Sequence, residues 1–183
     1  MRSKRSVPVL MAFVILALFV AGCAGTAGSA KPLTAAAKPE LLARYTKVGL
    51  ATSAQGDASK MTAADRERIA ALVARKVKER APNRFADFAA TTTDAETLHV
   101  TIAFTLYDEG SAFARFMLAG LGQIHVDAEV TLEDRVLQTV IGKFEVTKTF
   151  AWGGIYGVAT GIKEVEDGFA EAVAKVVLGQ SSE

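Results

Sequence analysis

Two stretches alternate so strictly that they dictate most of the fold. In LHVTIAFTLY, Leu98, Val100, Ile102, Phe104 and Leu106 fall on one side of an extended chain, and His99, Thr101, Ala103, Thr105 and Tyr107 fall on the other. The stretch from Ile124 to Leu132 repeats the pattern, with Ile124, Val126, Ala128, Val130 and Leu132 inward and His125, Asp127, Glu129 and Thr131 outward. Strand side chains alternate with period two, so one dry and one wet face mean an antiparallel sheet covered on one side. If the two strands pair as a hairpin, His99 faces the neighbourhood of Glu129 to Thr131 and His125 faces Thr105, too far apart to share a metal. A third strand is expected over Val136–Phe150, after a turn at Glu133, Asp134 and Arg135. Its inward set slips near Gly142, from Leu137 and Ile141 to Phe144 and Val146, a slip that a bulge absorbs.

The remaining elements follow from helical periodicity. Thr62-Ala63-Ala64-Asp65 has the spacing of a capping box, ahead of a stripe of Ile69, Leu72, Val73 and Val77 that Pro82 stops. A last helix, from about Thr160 to Leu178, carries Ile162, Val165, Phe169, Val173, Val176 and Val177 on one face, and Gly179 suits its end. Tyr45–Ala51 is a further short strand. The expected fold class is α/β of the α+β type: a two-layer β-α-β-β-β-α sandwich, with a mostly antiparallel sheet and two helices packed on one face.

Ahead of this domain the chain changes character. Arg2, Lys4 and Arg5 precede an uncharged apolar run, Val7 to Gly22, of 16 residues. That is short for a membrane span, which needs about 20 residues, and right for the apolar region of a secretory signal. The run ends in Val20-Ala21-Gly22-Cys23, which resembles the lipobox of bacterial lipoproteins: an aliphatic residue, two small ones, then cysteine. The resemblance implies cleavage between Gly22 and Cys23, a thioether-linked lipid on the Cys23 sulfur and acylation of the new amino group. Ala24 rather than Asp follows the cysteine, which in a Gram-negative cell implies delivery to the outer membrane, facing the periplasm. The expected division is a signal peptide over 1–22, lipidated Cys23 and a flexible tether over 23–39, one α/β domain over 40–179, and a frayed end over 180–183. The sixteen residues Ala24–Pro39 would span roughly 20–24 Å as a flexible chain.

Composition narrows the function. Losing Arg2, Lys4 and Arg5 takes the net charge from +1 to −2, which argues against nucleic-acid binding, since that needs a concentrated basic face. Cys23 is the one cysteine, so no disulfide forms within the chain and packing must stabilise it. No nucleophile set with Ser, His and Asp in an elbow context stands out, and no cofactor or metal is expected. Gly120-Leu121-Gly122 leads into a strand, where a phosphate loop needs a helix start. Asp127, Glu129, Glu133 and Asp134 read as the ordinary wet side of a sheet.

The segment GSAFARFMLAGLG, 110–122, crowds Phe113, Phe116, Met117, Leu118 and Leu121 around Arg115. Two readings stand side by side: a loop packed over one end of the core, or an exposed apolar patch with Arg115 at its centre, of the kind that binds a partner. Trp152 and Tyr156, in the second glycine-rich loop, carry the same two readings. Phe113, Arg115, Phe116, Met117, Trp152 and Tyr156 are therefore the candidate partner-binding residues.

The run YDEGSAFARFMLAGLGQIHVDAEVTLEDRVLQ resembles the bacterial lipoprotein family known as domain of unknown function 4410, through Gly110, Arg115, Gly120, Gly122 and Asp134. Here Arg135 follows the acid where the family pattern has glycine. The resemblance implies an envelope domain and no established activity. The leading expectation is a non-catalytic binding or scaffold module, held to a bilayer through Cys23 and contacting an envelope protein or its own copy. The alternative is a domain that binds a lipid or cell-wall ligand, or a regulator like the activators of peptidoglycan synthases.

Overall fold

A computed structural model describes residues 27–35, 38–88, 94–118, 121–151 and 159–180. The elements run β1 (Ser29–Pro32), α1 (Pro39–Leu42), β2 (Lys47–Ala54), α2 (Ala63–Arg80), β3 (Thr97–Asp108), α3 (Ala112–Met117), β4 (Ile124–Asp134), β5 (Thr139–Phe150) and α4 (Ile162–Val177), with one 3-10 turn at Gly56–Ala58. A single five-stranded sheet has the order β1-β5-β4-β3-β2. Strands β3, β4 and β5 form an antiparallel meander, and β2 lies parallel to β3 through a crossover that contains α2. Both long helices pack on one face, α2 over β2 and α4 over β4 and β5, and they touch each other. This is the two-layer α+β sandwich that the alternation and the helical stripes require. No helix among the described residues is long and apolar enough to cross a membrane.

The dry face holds the residues that the pattern assigns to it except Leu106, expected inward, which lies beyond a bulge at Thr105 and pairs with the outward Asp127. Val100, Ile102, Phe104, Val126, Val130 and Leu132 have no exposed surface, and Ile69, Val73, Phe169 and Val173 meet them from the helices. The capping box of α2 forms as spaced: Thr62 Oγ1 accepts from the Asp65 amide at 3.2 Å, and the Asp65 carboxylate accepts from the Thr62 amide at 3.0 Å. Gly179, at a φ of 67°, terminates α4 in the left-handed conformation that glycine adopts without strain.

Two bulges set the register. Leu132 pairs with Gly142 and Glu133 with Val140, so Ile141 is the extra residue, at the slip that the sequence shows near Gly142. Leu137, expected inward on this strand, instead lies in the turn before it and is exposed. The second bulge is at Thr105, between the pairs Phe104–Ala128 and Leu106–Asp127. One extra residue sends every later side chain to the other face. Tyr107, expected outward, therefore turns toward the helices, where its hydroxyl donates to Glu166 Oε1 at 2.7 Å.

The N-terminal boundary also moves. Ser29–Pro32, expected within the tether, pairs antiparallel with β5 as the edge of the sheet, from Ser29 opposite Thr147 to Pro32 opposite Phe144. Gly28 donates to the Gly168 carbonyl of α4 at 2.8 Å, and a Cβ at Gly28 would lie 2.7 Å from the Thr147 carbonyl oxygen. Glycine is the residue that permits this close approach.

Candidate functional site

The most prominent exposed apolar surface is the excursion between β3 and β4. Asp108 Oδ1 accepts from the Gly110 amide at 2.8 Å, and the Ser111 hydroxyl caps α3 by accepting from the Ala114 amide at 3.2 Å. Gly110 at a φ of 62° and Gly122 at 71° close the base of the excursion, with the Ser111 amide donating to the Gly122 carbonyl at 3.3 Å. Neither glycine has room for a side chain: a Cβ at Gly110 would lie 2.1 Å from the Gln123 carbonyl oxygen, and one at Gly122 would lie 2.4 Å from that of Ser111.

Arg115 is not the exposed centre of this patch. It is 4 % exposed, and its guanidinium points into the base of the excursion. There it donates to the carbonyls of Gly122 at 2.7 Å, Glu109 at 3.3 Å and Thr160 at 3.2 Å, tying both glycine corners to the chain just before α4. The reason is geometric. A guanidinium fork serves several carbonyls at once, and a tight double-glycine base leaves its carbonyls turned toward one another. The residues beside Arg115 face the other way. Phe113 is 75 % exposed, and Phe116, Met117, Leu118 and Leu121 each keep more than half of their surface. Phe113, Phe116 and Met117 follow the i, i+3, i+4 spacing that puts side chains on one helix face. The short helix is thus both tied down and apolar outward, which combines the two readings of the segment. Of the other expected site residues, Gly22, Cys23, Trp152 and Tyr156 lie outside the described residues, as does Gly120 of the family motif.

A second exposed apolar group stands at the opposite end of the sheet, on the β4–β5 turn: Val136, Leu137 and Val140. The turn is organised by Asp134, read from sequence as a solvated carboxylate and here only 3 % exposed. Asp134 accepts from the Leu137 amide at 2.8 Å, from the Tyr45 hydroxyl at 2.9 Å and from Arg44. These donors, the Leu137 amide first, hold its carboxyl below the usual carboxylate range. The left-handed residue that this turn needs is Gln138, at a φ of 50°, three positions beyond Arg135.

The histidines do not meet, as expected, although their partners are not the expected ones. The register is offset by two residues from the expected one, and the bulge at Thr105 adds a third beyond it, so His99 lies opposite Glu133 and His125 opposite Asp108. No cluster of three metal-binding side chains occurs among the described residues. His125 Nδ1 lies 3.1 Å from Thr149 Oγ1. His99, expected to be solvated, is 4 % exposed, and its Nε2, like Asp127 Oδ1, is buried without a hydrogen-bond partner. Burial, reinforced by the Arg135 guanidinium, pushes the His99 imidazole below the usual histidine range. The unfolded chain takes up that proton near pH 6.5. Below about that pH the unfolded state therefore binds more protons than the folded one, and stability falls as pH drops. Urea unfolding at about pH 7.5 and about pH 5.5 should show this decline, and His99→Gln should flatten it. Equal declines in both proteins would remove His99 as the cause.

The surface hollows among the described residues are open to solvent. One, beside the excursion, is lined by Asp108, Gly110, Ser111, Leu121, Gly122, Gln123 and His125. Another lies at the β4–β5 turn, between Glu133, Arg135, Gln138 and Val140. The site is therefore best described as two apolar end surfaces on one packed sheet.

No curated protein matches the chain. Among solved structures it is similar to the PelC dodecamer from Paraburkholderia phytofirmans, at 18% identity and a TM-score of 0.53, over 85% of this chain and 99% of that one. A single-substitution variant of the same PelC dodecamer is similar at 17% identity and a TM-score of 0.50, over 85% of this chain and 98% of that one. At such identity the likeness is one of fold. A family model matches residues 29–154, beginning at the first residue of β1 and spanning well over half of the sequence. The chain belongs to the family described as domain of unknown function DUF4410.

Proposed function

We propose that this protein is a lipoprotein of the bacterial cell envelope, anchored through Cys23, whose domain is a non-catalytic contact module that assembles with further copies of itself. The anchor rests on the basic start, the apolar run and the Val20-Ala21-Gly22-Cys23 box. With Ala24 next, the destination in a Gram-negative cell is the periplasmic side of the outer membrane. The observation that carries the assembly is the β4–β5 turn. Val136, Leu137 and Val140 stand about half exposed on a tip held in shape by the buried Asp134. Exposed apolar groups on a preorganised support are what a protein interface uses, since little entropy is lost on ordering them. The similar PelC structures are dodecamers, which supports a self-associating use of this fold.

Sedimentation of the mature protein in detergent tests this reading. The protein should sediment as an oligomer, and Leu137→Asp, at an exposed position, should leave the fold intact and shift the distribution toward the monomer. A monomeric native protein at every accessible concentration would contradict the assembly.

A further inference from the structure

We infer that the apolar face of α3 is a second membrane contact, with the bilayer that holds Cys23 as its occupant. The inference rests on the lipid-anchored reading and comes from where the chain enters the fold. Strand β1 runs antiparallel to β5 with Ser29 opposite Thr147. The chain ahead of Ser29 is therefore directed toward the end of the sheet where β5 finishes. That end is marked by Phe150 opposite Ile124 and by Asp108 opposite His125. It is the end at which Arg115 ties the excursion to the Thr160 carbonyl. The entry point and α3 share one end of the domain.

The leash is short. Ala27 and Gly28 are both held to the domain: the Ala27 carbonyl lies 3.5 Å from the Lys148 ammonium, and the Gly28 amide donates to α4. Four residue steps separate Cys23 from Ala27, and at no more than about 3.6 Å each they reach about 14 Å. From Thr147 to Phe150, the last stretch of β5, is a rise of only about 10 Å. The end bearing α3 is thus held at the bilayer surface, whereas a sixteen-residue tether would let the domain turn freely. The other apolar group, at Leu137, lies beyond Asp134, ten strand rises or about 34 Å from Ile124, and cannot reach the same surface. Asp108 and Glu109, beside α3, are exposed. The contact is accordingly apolar burial at the interface and not attraction to anionic headgroups.

The test uses the full mature protein, purified from membranes and reconstituted into phosphatidylcholine vesicles, with a nitroxide on Phe116→Cys or, as reference, on Glu79→Cys. Glu79 lies in the last turn of α2, near the start of β2 and so at the sheet end away from α3, and outside the β4–β5 turn. Both positions are exposed, so neither change disturbs the core. At 116 the ratio of oxygen to aqueous nickel-complex collisions should be several-fold higher than at 79, and it should not change when anionic lipid is added. If the vesicles float the protein, the unsubstituted chain takes no label at Cys23 and 116 is as open to nickel as 79, the inference fails and the anchor stands. If the unsubstituted chain takes label at Cys23 and does not float, the anchor fails and the inference with it. If 116 is shielded from both quenchers, a protein surface covers α3, which also overturns the proposal.

Discussion

Replacing Arg68 with alanine should lower the unfolding free energy by about 3–5 kcal/mol, the loss expected when a buried charge is left without its partner. The buried charge is Glu166, in the first turns of α4, which has no exposed surface. Arg68 on α2 reaches it with a fork, Nε to Oε2 at 2.9 Å and Nη2 to Oε1 at 2.6 Å, and Tyr107 adds the third donor. The carboxylate thus joins α2, α4 and β3 at one point. The surrounding bonds hold the Arg68 guanidinium firmly in its charged form and push the Tyr107 hydroxyl above the usual tyrosine range, the latter chiefly by burial. Arg68→Lys should recover only part of the loss, because an ammonium is a single point charge and cannot make the planar fork. On the same helix Arg75 is more than half exposed and pairs with Asp167 and Glu79 at the surface, so Arg75→Ala should cost less than about 1 kcal/mol. Urea unfolding with an unchanged denaturant slope reads all three. An Arg68→Ala protein as stable as the Arg75→Ala protein would show that Glu166 does not depend on this pair.

The second large effect is expected at the base of the excursion. Arg115→Ala should cost about 1.5–3 kcal/mol, the range for hydrogen bonds from a charged donor. It should also raise amide exchange across 111–118, where the tied helix now sits. Arg115→Lys should behave like the alanine variant, since one ammonium cannot serve carbonyls on Glu109, Gly122 and Thr160 together. Gly110→Ala should open the same segment for a different reason. Its Cβ would meet main-chain oxygens of Gln123 and Gly122 at 2.1 and 2.4 Å, and no side-chain rotation relieves a clash with backbone. Limited proteolysis should cut all three variants within the excursion well before the native protein. Equal resistance would mean that Arg115 and Gly110 do not hold the α3 face in place.

Local periodicity was legible in the sequence, and contacts between distant segments were not. Alternation placed Val100, Ile102, Val126 and Val130 in the core, the Thr62–Asp65 spacing started α2, and the slip near Gly142 revealed the Ile141 bulge. These signals are local, and each acts through a fixed period. The misassigned residues depend on partners far along the chain. Tyr107 changed faces because of an extra residue at Thr105, which no composition rule marks. Strand β1 is a short Ser-Ala-Lys-Pro stretch that pairs because β5 offers it a free edge. His99 falls on the wet face by alternation, yet other elements cover it, whereas Asp134 reads as wet only as a carboxylate at a turn and in fact continues the buried phase of Ile124 to Leu132. Arg115 was the hardest of these, since its acceptors are main-chain carbonyls, which leave no complementary residue to find. Its spacing from Gly110 and Gly122 was nonetheless visible as the family motif, and the structure turns that spacing into one physical unit.

The central claim is that a compact contact module is held to a bilayer by lipid on Cys23. Intact mass spectrometry of the protein taken from membranes, with fragmentation of its N-terminus, tests this most directly. The account predicts a chain that begins at Cys23 and carries diacylglycerol on sulfur and an acyl group on its amine. A free Cys23 thiol, or residues 1–22 still attached, would contradict it.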